Sequence, residues 1–457
     1  MRRRRPLEER SRPHVPYLST AAVLLGFVAV SCVIPWSRVH FPADLPPLFL
    51  NWNPAIGPGL VVPLVLAVVF VGAIPRLLRA PTGALLATLV VVIWLLAGSL
   101  AMQSGRIRTF AGCCVPGTGT ALLTAPFERD GEYMAAVPIV DELGPRGFAE
   151  RFDELNRRGT SFLPLHVTTH PPGAAMFLWA LSEATGGGVL PVVLIVMLVG
   201  ALGVLPTYAM ARALYDERTA RVAAVLFACA PGVLVYTATS MDVVFMTAIA
   251  TAFAFVVRAP RSLVWSVCAG VAAALATTLS WAALVLGPLG IGIGLLAIRD
   301  GVPWPRVVLR GALAVASFAV CVVAIRLTTG IDLVGTYGST MDRHTHYLTY
   351  RRSYPYWVVG NVVALLITAG IATTAHVAAQ ARERWRRGRP GIETVVLATI
   401  ALSSLLGVFR GETDHNWLFF VPLLIVSAAP AVADVRPVTT ANAGQAVSTE
   451  VLFYTGW

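Results

Sequence analysis

The sequence contains no lysine, and it is poor in charge of either sign. All 35 basic residues are arginine, and only 13% of the 457 residues are charged, whereas a soluble domain carries about a quarter. Apolar residues make up 56% of the chain. So much apolar surface with so little charge excludes an ordinary soluble domain and predicts an integral membrane protein. The exclusive use of arginine is typical of a GC-rich genome and favours a bacterial source.

The sequence also lacks the cysteine spacing of a metal site or a disulfide framework. Two of its six cysteines, Cys113 and Cys114, are adjacent, and adjacent cysteines pair only with strain. The other four lie in apolar runs. No metal site is predicted, and no cofactor is assigned; a divalent metal stays possible but unsupported.

The formal charge of +11 would suggest a nucleic-acid partner in a soluble protein. Here much of the arginine falls in short segments between apolar runs, as the positive-inside rule predicts for cytoplasmic loops. These segments are Arg2 to Arg5, Arg76 and Arg79, Arg258 and Arg261, and Arg382 to Arg389. The positive charge therefore indicates topology and membrane lipid as a partner, and no nucleic acid.

Twelve apolar runs are long enough to cross a hydrocarbon core of about 30 Å. They lie near 17–36, 59–75, 82–102, 189–211, 220–238, 242–258, 263–283, 284–298, 306–326, 355–380, 391–409 and 417–433. The stretch 173–184 is too short to span, so we predict a partial or re-entrant helix there. The prediction is thus an all-α polytopic membrane protein with cytoplasmic termini and outer loops at 104–170 and 327–354.

Three segments follow from this pattern: two N-terminal crossings in 1–81, a transmembrane module over 82–433, and a tail at 434–457 that we expect to be loosely structured. Two short amphipathic helices are predicted in the first outer loop, at 132–143 and 146–155, separated by Gly144 and Pro145. Such helices lie in the interface plane, and we expect their aromatic faces to contact lipid.

The first outer loop carries short polar motifs close to where the chain re-enters the membrane. They are Asp130-Gly131-Glu132-Tyr133, then His166, and then His170-Pro171-Pro172, while Ala230-Pro231, Tyr236 and Asp242 follow. An acidic pair with a tyrosine, interfacial helices and a His-Pro-Pro turn resemble the GT-C superfamily of polyprenyl-phosphate-sugar glycosyltransferases. The protein O-mannosyltransferases, the lipid A aminoarabinose transferases and many actinobacterial members belong to it.

The resemblance covers roughly 82–300 by motif order, and it implies a GT-C fold and a site facing the extracytoplasmic side of the cell membrane. It implies a polyprenyl-phosphate sugar as donor and an envelope glycan, lipid or protein as acceptor. In this superfamily the acidic pair is usually adjacent, whereas Gly131 separates Asp130 from Glu132 here. It therefore stays open which of the two carboxylates has the leading role in the site.

Sugar transfer to a hydroxyl needs a carboxylate that takes the acceptor proton and cations that stabilise the leaving phosphate. We predict Asp130 as the base of an inverting transfer, with Glu132 and Asp242 as alternatives. Arginine suits phosphate because its fork donates two parallel hydrogen bonds. The candidate substrate-binding residues are Tyr133, His166, His170, Arg343, His344, His346, Arg351, Arg352, Arg410 and Glu412.

Each of these residues also has a plain structural interpretation. His170 can simply cap the partial helix, Arg351 and Arg352 can anchor a helix at the headgroups, and the cluster Arg410 to His415 can be a solvated loop. A lipid-linked substrate transporter or flippase would place charge at the helix centres and show an internal repeat, and neither is present in the sequence. A non-catalytic membrane partner in glycan assembly remains an alternative.

Overall fold

The long apolar runs form helices, because a helix satisfies its own backbone hydrogen bonds where no water is available. The structure, a computed structural model, describes residues 15–34, 43–108, 114–117, 119–346 and 351–454. The predicted all-α class is confirmed over these residues. Within the described part of the chain, the only strands are two short antiparallel pairs, Asn51–Trp52 with Phe453–Tyr454 and Arg106–Arg108 with Cys114–Pro116.

The α-helices of the first half are Tyr17–Val33, Val61–Leu77, Thr82–Ala101, Ala121–Thr124, Val137–Leu143, Pro145–Arg158, Leu165–Thr168, Gly173–Ala184, Val189–Leu202, Val204–Leu214 and Glu217–Phe227. Those of the second half are Pro231–Tyr236, Asp242–Val256, Leu263–Leu279, Leu286–Arg299, Trp304–Thr329, Leu333–His344, Tyr354–Thr368, Ile371–Arg386, Ile392–Leu405, Thr413–Asn416, Val421–Ala428 and Val435–Leu452. Short 3₁₀ turns at Pro58–Leu60, Tyr133–Ala136, Ala259–Arg261, Trp281–Val285, Leu418–Phe420 and Ala429–Ala431 join several of them.

The predicted count of twelve crossings is not confirmed. Within the described residues, six helices are long and apolar enough to span, or seven if the pair Tyr354–Thr368 and Ile371–Arg386, bent by 110°, is one span. The six are Pro58–Leu77, Thr82–Ala101, Val189–Leu214, Asp242–Arg261, Trp281–Arg299 and Trp304–Thr329. The chain is therefore a multi-pass membrane protein with fewer full spans than its apolar runs suggest.

Several apolar runs are broken because proline lacks the N–H that a helix interior needs. The run 220–238 is divided, since Glu217–Phe227 ends and a new helix begins at Pro231. The run 417–433 is a 3₁₀ turn, an eight-residue helix and another 3₁₀ turn. The predicted short helix at 173–184 forms as Gly173–Ala184, where the helix stops before two glycines with positive φ.

Both predicted helices of the first outer loop are present, but their aromatic face does not contact lipid. Phe148 and Phe152, on Pro145–Arg158, are fully buried in the main hydrophobic core. The helix Leu333–His344 of the second outer segment packs against this helix, and Asn156 donates a hydrogen bond to the Ser339 hydroxyl. The prediction of a lipid-facing aromatic surface is wrong because both phenylalanines pack into the main hydrophobic core.

The C-terminal segment is a helix and not a loosely structured tail. Asp434 accepts a hydrogen bond from the Arg436 backbone N–H at its start, and Val435, Val438 and Ala446 are buried. The helix leads to Phe453–Tyr454, which pairs with Asn51–Trp52. The sequence prediction failed here because polar residues interrupt the Val and Ala residues of this segment and leave no apolar run.

Polar contacts fix which loops share one end of the bundle. Gln103 Nε2 donates to the carbonyl of Ala55 over 2.8 Å, so the start of the first outer loop lies beside residues 51–57 and the C-terminal strand. At the other end, Arg221 donates to the carbonyls of Leu78 and Ala80. Residue 454 therefore lies at the same end of the bundle as residue 103. A cytoplasmic C terminus and an outer segment 104–170 were both predicted, and the structure is not compatible with both.

Candidate functional site

One polar cavity lies where the two outer segments meet the ends of the membrane helices. It encloses about 590 Å³ of space not filled by atoms, part of it open to solvent. Histidines and carboxylates from four separate stretches of the chain converge on it. Its lining includes His166, His170, Asp242, His344, Glu412 and His415, with aromatic walls from Phe245, Trp281, Phe409 and Phe419.

Asp242 and His415 form the tightest polar contact at the cavity. Asp242 is the first residue of Asp242–Val256, and His415 lies on the four-residue helix Thr413–Asn416. His415 Nδ1 lies 2.9 Å from Asp242 Oδ2, which also accepts a hydrogen bond from the Ser240 hydroxyl at 2.6 Å. Only 13% of the Asp242 side chain and 2% of the His415 side chain is exposed, so the pair is almost fully desolvated.

The protonation of His415 follows from this pairing. Burial alone would lower the pKa of His415, but the hydrogen bond to Asp242 and the nearby charges of Asp242, Asp414 and Glu412 raise it above its ordinary value. A histidine bonded through Nδ1 to a carboxylate is fixed in orientation, and the carboxylate stabilises its protonated form. The pair is thus built to accept and hold one proton.

A second contact joins His166, which lines the cavity, to Glu132, which is not among the lining residues. Glu132 Oε1 lies 3.7 Å from His166 Nε2, and both side chains are mostly buried. Burial raises the pKa of Glu132 to about 8, and burial lowers the pKa of His166 to about 4. Both groups are therefore neutral at pH 7, and the contact is a neutral pair with a proton on the carboxyl group.

The His-Pro-Pro turn places His170 against an aromatic wall. The His170 ring stacks on Phe245 with centroids 5.3 Å apart, and Tyr133 meets both rings edge-on. Burial lowers the pKa of His170, which keeps it neutral. Gly173 follows the prolines because a side chain there would strike the Thr278 carbonyl.

Glu412 and Arg352 form a buried ion pair beside the cavity, with 7% and 10% of their side chains exposed. Burial alone would raise the pKa of Glu412, but the Arg352 guanidinium lowers it overall. Arg352 also donates to the Arg410 carbonyl, and the Arg410 guanidinium lies over the Tyr354 ring. Glu412 and His415 line the cavity, so this stretch is not the solvated loop that the sequence left as an alternative.

Glu412 also has an unusual backbone conformation. It is the only residue other than glycine with a positive φ, 60°, within the described part of the chain. A non-glycine residue in this region costs about 1 kcal/mol or more and is held by its surroundings. Here the Arg352 ion pair holds the carboxylate at the cavity.

Other predicted site residues lie away from the cavity lining. Asp130 and Arg351 are exposed, and so is His346. The Arg343 guanidinium donates to the backbone carbonyls of Asn156 and Arg157, and it thereby ties the second outer segment to the first. The prediction that Asp130 is the base stays a prediction.

The sequence did not single out three residues that line the cavity or orient a residue in its wall. Ser240 donates a hydrogen bond to Asp242, and Phe245 stacks on His170. Trp281 forms a wall and meets Tyr337 edge-on, with the ring centroids 5.1 Å apart. His415 appeared only within a polar cluster. The spacing of Ser240 and Asp242 at a helix start was a usable signal, because a serine two residues before an aspartate can bond to it, as the Ser240 hydroxyl does by accepting the Asp242 backbone N–H.

The charged groups do not form a metal site by themselves. Among the described residues, no group of three or more His, Cys, Asp or Glu side chains has a geometry that could hold a metal ion. The histidines instead bond to the backbone or to carboxylates, as His170 Nδ1 does with the His166 carbonyl at 3.0 Å. The arrangement presents a proton acceptor, neutral hydrogen-bonding groups and an adjacent guanidinium.

Comparison with known proteins links this region to one family. Residues 169–329 match the family of dolichyl-phosphate-mannose-protein mannosyltransferases, which confirms the predicted resemblance to the GT-C superfamily. The match includes His170, Asp242 and Trp281. No curated protein matches the chain.

Solved structures give a more distant likeness. ArnT from Cupriavidus metallidurans in the apo state aligns with 17% identity and a TM-score of 0.47, over 76% of this chain and 59% of that chain. The Archaeoglobus fulgidus oligosaccharyltransferase in complex with Zn and sulfate aligns with 14% identity and a TM-score of 0.41, over 62% of this chain and 45% of that chain. The chain thus spans less than two thirds of the length of either protein.

Proposed function

We propose that this chain, a member of the GT-C superfamily of glycosyltransferases, transfers a sugar from a polyprenyl-phosphate-linked donor to a hydroxyl of a cell-envelope acceptor. Transfer takes place at the extracytoplasmic face of the cell membrane. The buried Asp242–His415 pair in a cavity between the two outer segments carries this proposal. A desolvated carboxylate and histidine in hydrogen-bond contact are suited to proton removal, and the family match includes Asp242.

The reaction is an inverting displacement at the anomeric carbon of the sugar. The acceptor oxygen attacks that carbon, the bond from the carbon to the phosphate oxygen breaks, and the lipid phosphate leaves with the bonding electrons. The Asp242–His415 pair takes the proton from the attacking hydroxyl. Holding that proton on a buried, oriented pair stabilises the transition state, because the acceptor oxygen gains its bond as it loses the proton.

Arg352 is the proposed cation for the leaving phosphate. Its guanidinium is buried beside Glu412, which itself lines the cavity. Negative charge develops on the phosphate as it leaves. A guanidinium stabilises that charge strongly when it is already in position and poorly solvated. Arg410, stacked on Tyr354 and bonded to the Arg352 carbonyl, holds the Arg352 backbone.

Two unpartnered polar atoms in the cavity wall suit the hydroxyls of a sugar. Trp281 Nε1 and His344 Nδ1 are buried and have no hydrogen-bond partner among the described residues, although both side chains line the cavity. An unpaired buried donor or acceptor costs about 1 to 3 kcal/mol. A sugar hydroxyl that reached either atom would remove that cost, and the aromatic walls would pack against the sugar ring.

Three carboxyl groups are candidates for the base, and they differ in their surroundings. Asp242 lines it, Glu132 is neutral at pH 7 because its pKa is about 8, and Asp130 is exposed. We therefore place Asp242 with His415 first and Glu132 as a hydrogen-bond donor to substrate. Asp130 remains the alternative that the sequence favoured, and it would serve an acceptor approaching from the solvent side.

The test compares variants of the purified full chain in lipid vesicles, with a polyprenyl-phosphate sugar as donor. Asp242→Asn and His415→Gln should lower transfer by about two to four orders of magnitude, the usual effect of losing a general base. Both should bind donor normally, whereas Arg352→Gln should weaken donor binding. Arg343→Gln is the comparison variant, since the Arg343 guanidinium donates to the backbone carbonyls of Asn156 and Arg157 and is not among the residues that line the cavity.

Two outcomes would overturn this assignment. If Asp130→Asn abolishes transfer while Asp242→Asn keeps near-normal turnover, the base is Asp130 and the cavity serves another purpose. If Asp130→Asn, Glu132→Gln and Asp242→Asn all stay active, the glycosyltransferase proposal itself fails.

A further inference from the structure

A second cavity lies behind the proposed site, on the far side of Tyr236 and Asp414. It contains about 700 Å³ of space not filled by atoms, part of it open to the surroundings, and is bounded by the N-terminal helix, the stretch 45–50, the break between Thr368 and Ile371, and the C-terminal helix. Most of this wall lies outside the residues 169–329 that match the family. Nothing in the proposed reaction uses it.

The walls of this cavity are aliphatic, and its polar groups are few. The aliphatic lining consists of Leu25, Val28, Leu45, Leu48, Leu50, Val235, Ile367 and Ile371. Leu25 is 52% exposed on a helix whose outer residues are also apolar, such as Leu18 and Val23. The cavity therefore reaches the surface at a face that lipid covers, and an apolar chain can enter it from the bilayer.

One carboxyl group lines the cavity with hydrogen-bonding capacity to spare. Asp414 is 1% exposed, and its Oδ2 accepts hydrogen bonds from the Tyr236 hydroxyl at 2.7 Å and the Phe49 backbone N–H at 3.3 Å. Its Oδ1 is buried and has no partner among the described residues. A buried carboxyl oxygen without a partner is costly, so a ligand group that bonded to it would bind favourably.

The charges around the cavity select the kind of headgroup. Among the described residues, no arginine or histidine lines the cavity, so within this part of the chain a phosphate or a carboxylate would meet no cation and would face Asp414. Burial raises the pKa of Asp414, which disfavours its charged form and weakens the attraction for a cationic headgroup. A neutral group that can share a hydrogen bond with a carboxyl oxygen fits best.

We propose that this cavity binds a neutral lipid alcohol, with its aliphatic chain along Leu25 and Val28 and its hydroxyl bonded to Asp414. Gln445 is already engaged, since it accepts from the Ile371 N–H and donates to the Ile367 carbonyl. The proposal concerns binding and does not rest on the proposed transfer reaction.

The test uses the purified full chain in detergent and a photoactivatable long-chain alcohol as the probe. Labelling should map to peptides that contain Leu25 and Val28, and hexadecanol should displace the probe. Val28→Trp fills the cavity and should lower labelling about tenfold, the change that 1.4 kcal/mol of binding energy produces. Val23→Trp, on an exposed position of the same helix, should leave labelling unchanged.

Headgroup selection gives the second arm of the experiment. Palmitate and hexadecyl phosphate should compete poorly at concentrations where hexadecanol displaces the probe. Asp414→Asn keeps a carbonyl oxygen and should retain most labelling, whereas Asp414→Leu should lower it about tenfold; thermal melts of both confirm that they fold. Equal competition by hexadecyl phosphate, or labelling that Val28→Trp does not change, would overturn the proposal. Either result leaves the transfer assay, and therefore the proposed function, untouched.

Discussion

At the scale of single residues, Glu132 should make the stability of the folded protein depend on pH. Its pKa rises from the ordinary 4.5 to about 8 because the side chain is buried. Between pH 4.5 and 8, the folded state therefore keeps the Glu132 proton, whereas the unfolded state has released it. The stability from this proton is fully present below pH 4.5 and is lost as pH rises to about 8.

Glu132→Gln keeps a neutral hydrogen-bonding group and removes the titration. We expect the wild type to lose stability relative to Glu132→Gln between pH 5 and pH 8, by on the order of 1 kcal/mol or more. Thermal melts of both proteins across this range give the difference. Buried neutral histidines such as His166 act in the opposite direction, and they cancel because both proteins contain them. A constant difference from pH 5 to 8 would show that Glu132 is ionised throughout.

The contrast between Asp130 and Glu132 shows the limit of the sequence at this scale. The motif was visible, and the resemblance placed acidic residues and a tyrosine at the start of the outer loop. Their roles depend on which side chain turns inward, and that is set by the 3₁₀ turn at Tyr133–Ala136 and by the burial of Tyr133. Tertiary packing decides this orientation, so residue type and spacing do not predict it.

At the scale of elements, close helix contact is set by glycine. A Cβ at Gly270, on Leu263–Leu279, would strike the Ala314 carbonyl of Trp304–Thr329, and Gly311 on that second helix has nothing within 4 Å. Gly270→Ala should destabilise the protein by about 1 to 3 kcal/mol through overpacking. Gly311→Ala should stabilise it slightly, because alanine is the better helix former. Denaturation of both variants tests this, and equal stabilities would mean that the helices separate freely.

Helices with apolar runs were predictable, and helices with polar sequences were not. Thr82–Ala101 and Trp304–Thr329 follow directly from their composition. The helix Val435–Leu452 was missed because its buried face consists partly of Thr439 and Asn442, whose side chains bond within the bundle. Breaks were missed where proline begins a new helix inside an apolar run, as Pro231 does.

At the scale of the whole molecule, the topology links the site to the C terminus. The pairing of Phe453–Tyr454 with Asn51–Trp52, and the bond from Gln103 to the Ala55 carbonyl, place three segments at one end of the bundle. The helix Val435–Leu452 has 18 residues, and at 1.5 Å per residue it is about 27 Å long. That length carries the chain from one end of the bundle almost to the other.

A cysteine-accessibility experiment decides between this topology and a cytoplasmic C terminus. In a cysteine-free background, Thr120→Cys and Ser448→Cys, both at exposed positions, should react with an impermeant reagent added outside intact cells. Arg218→Cys, near the opposite end of the bundle, should react only after permeabilisation. Labelling of residue 448 only from the inside would separate the C-terminal strand from Asn51–Trp52 and contradict the fold. Labelling of residue 120 only from the inside would place the cavity, and the proposed transfer, on the cytoplasmic face.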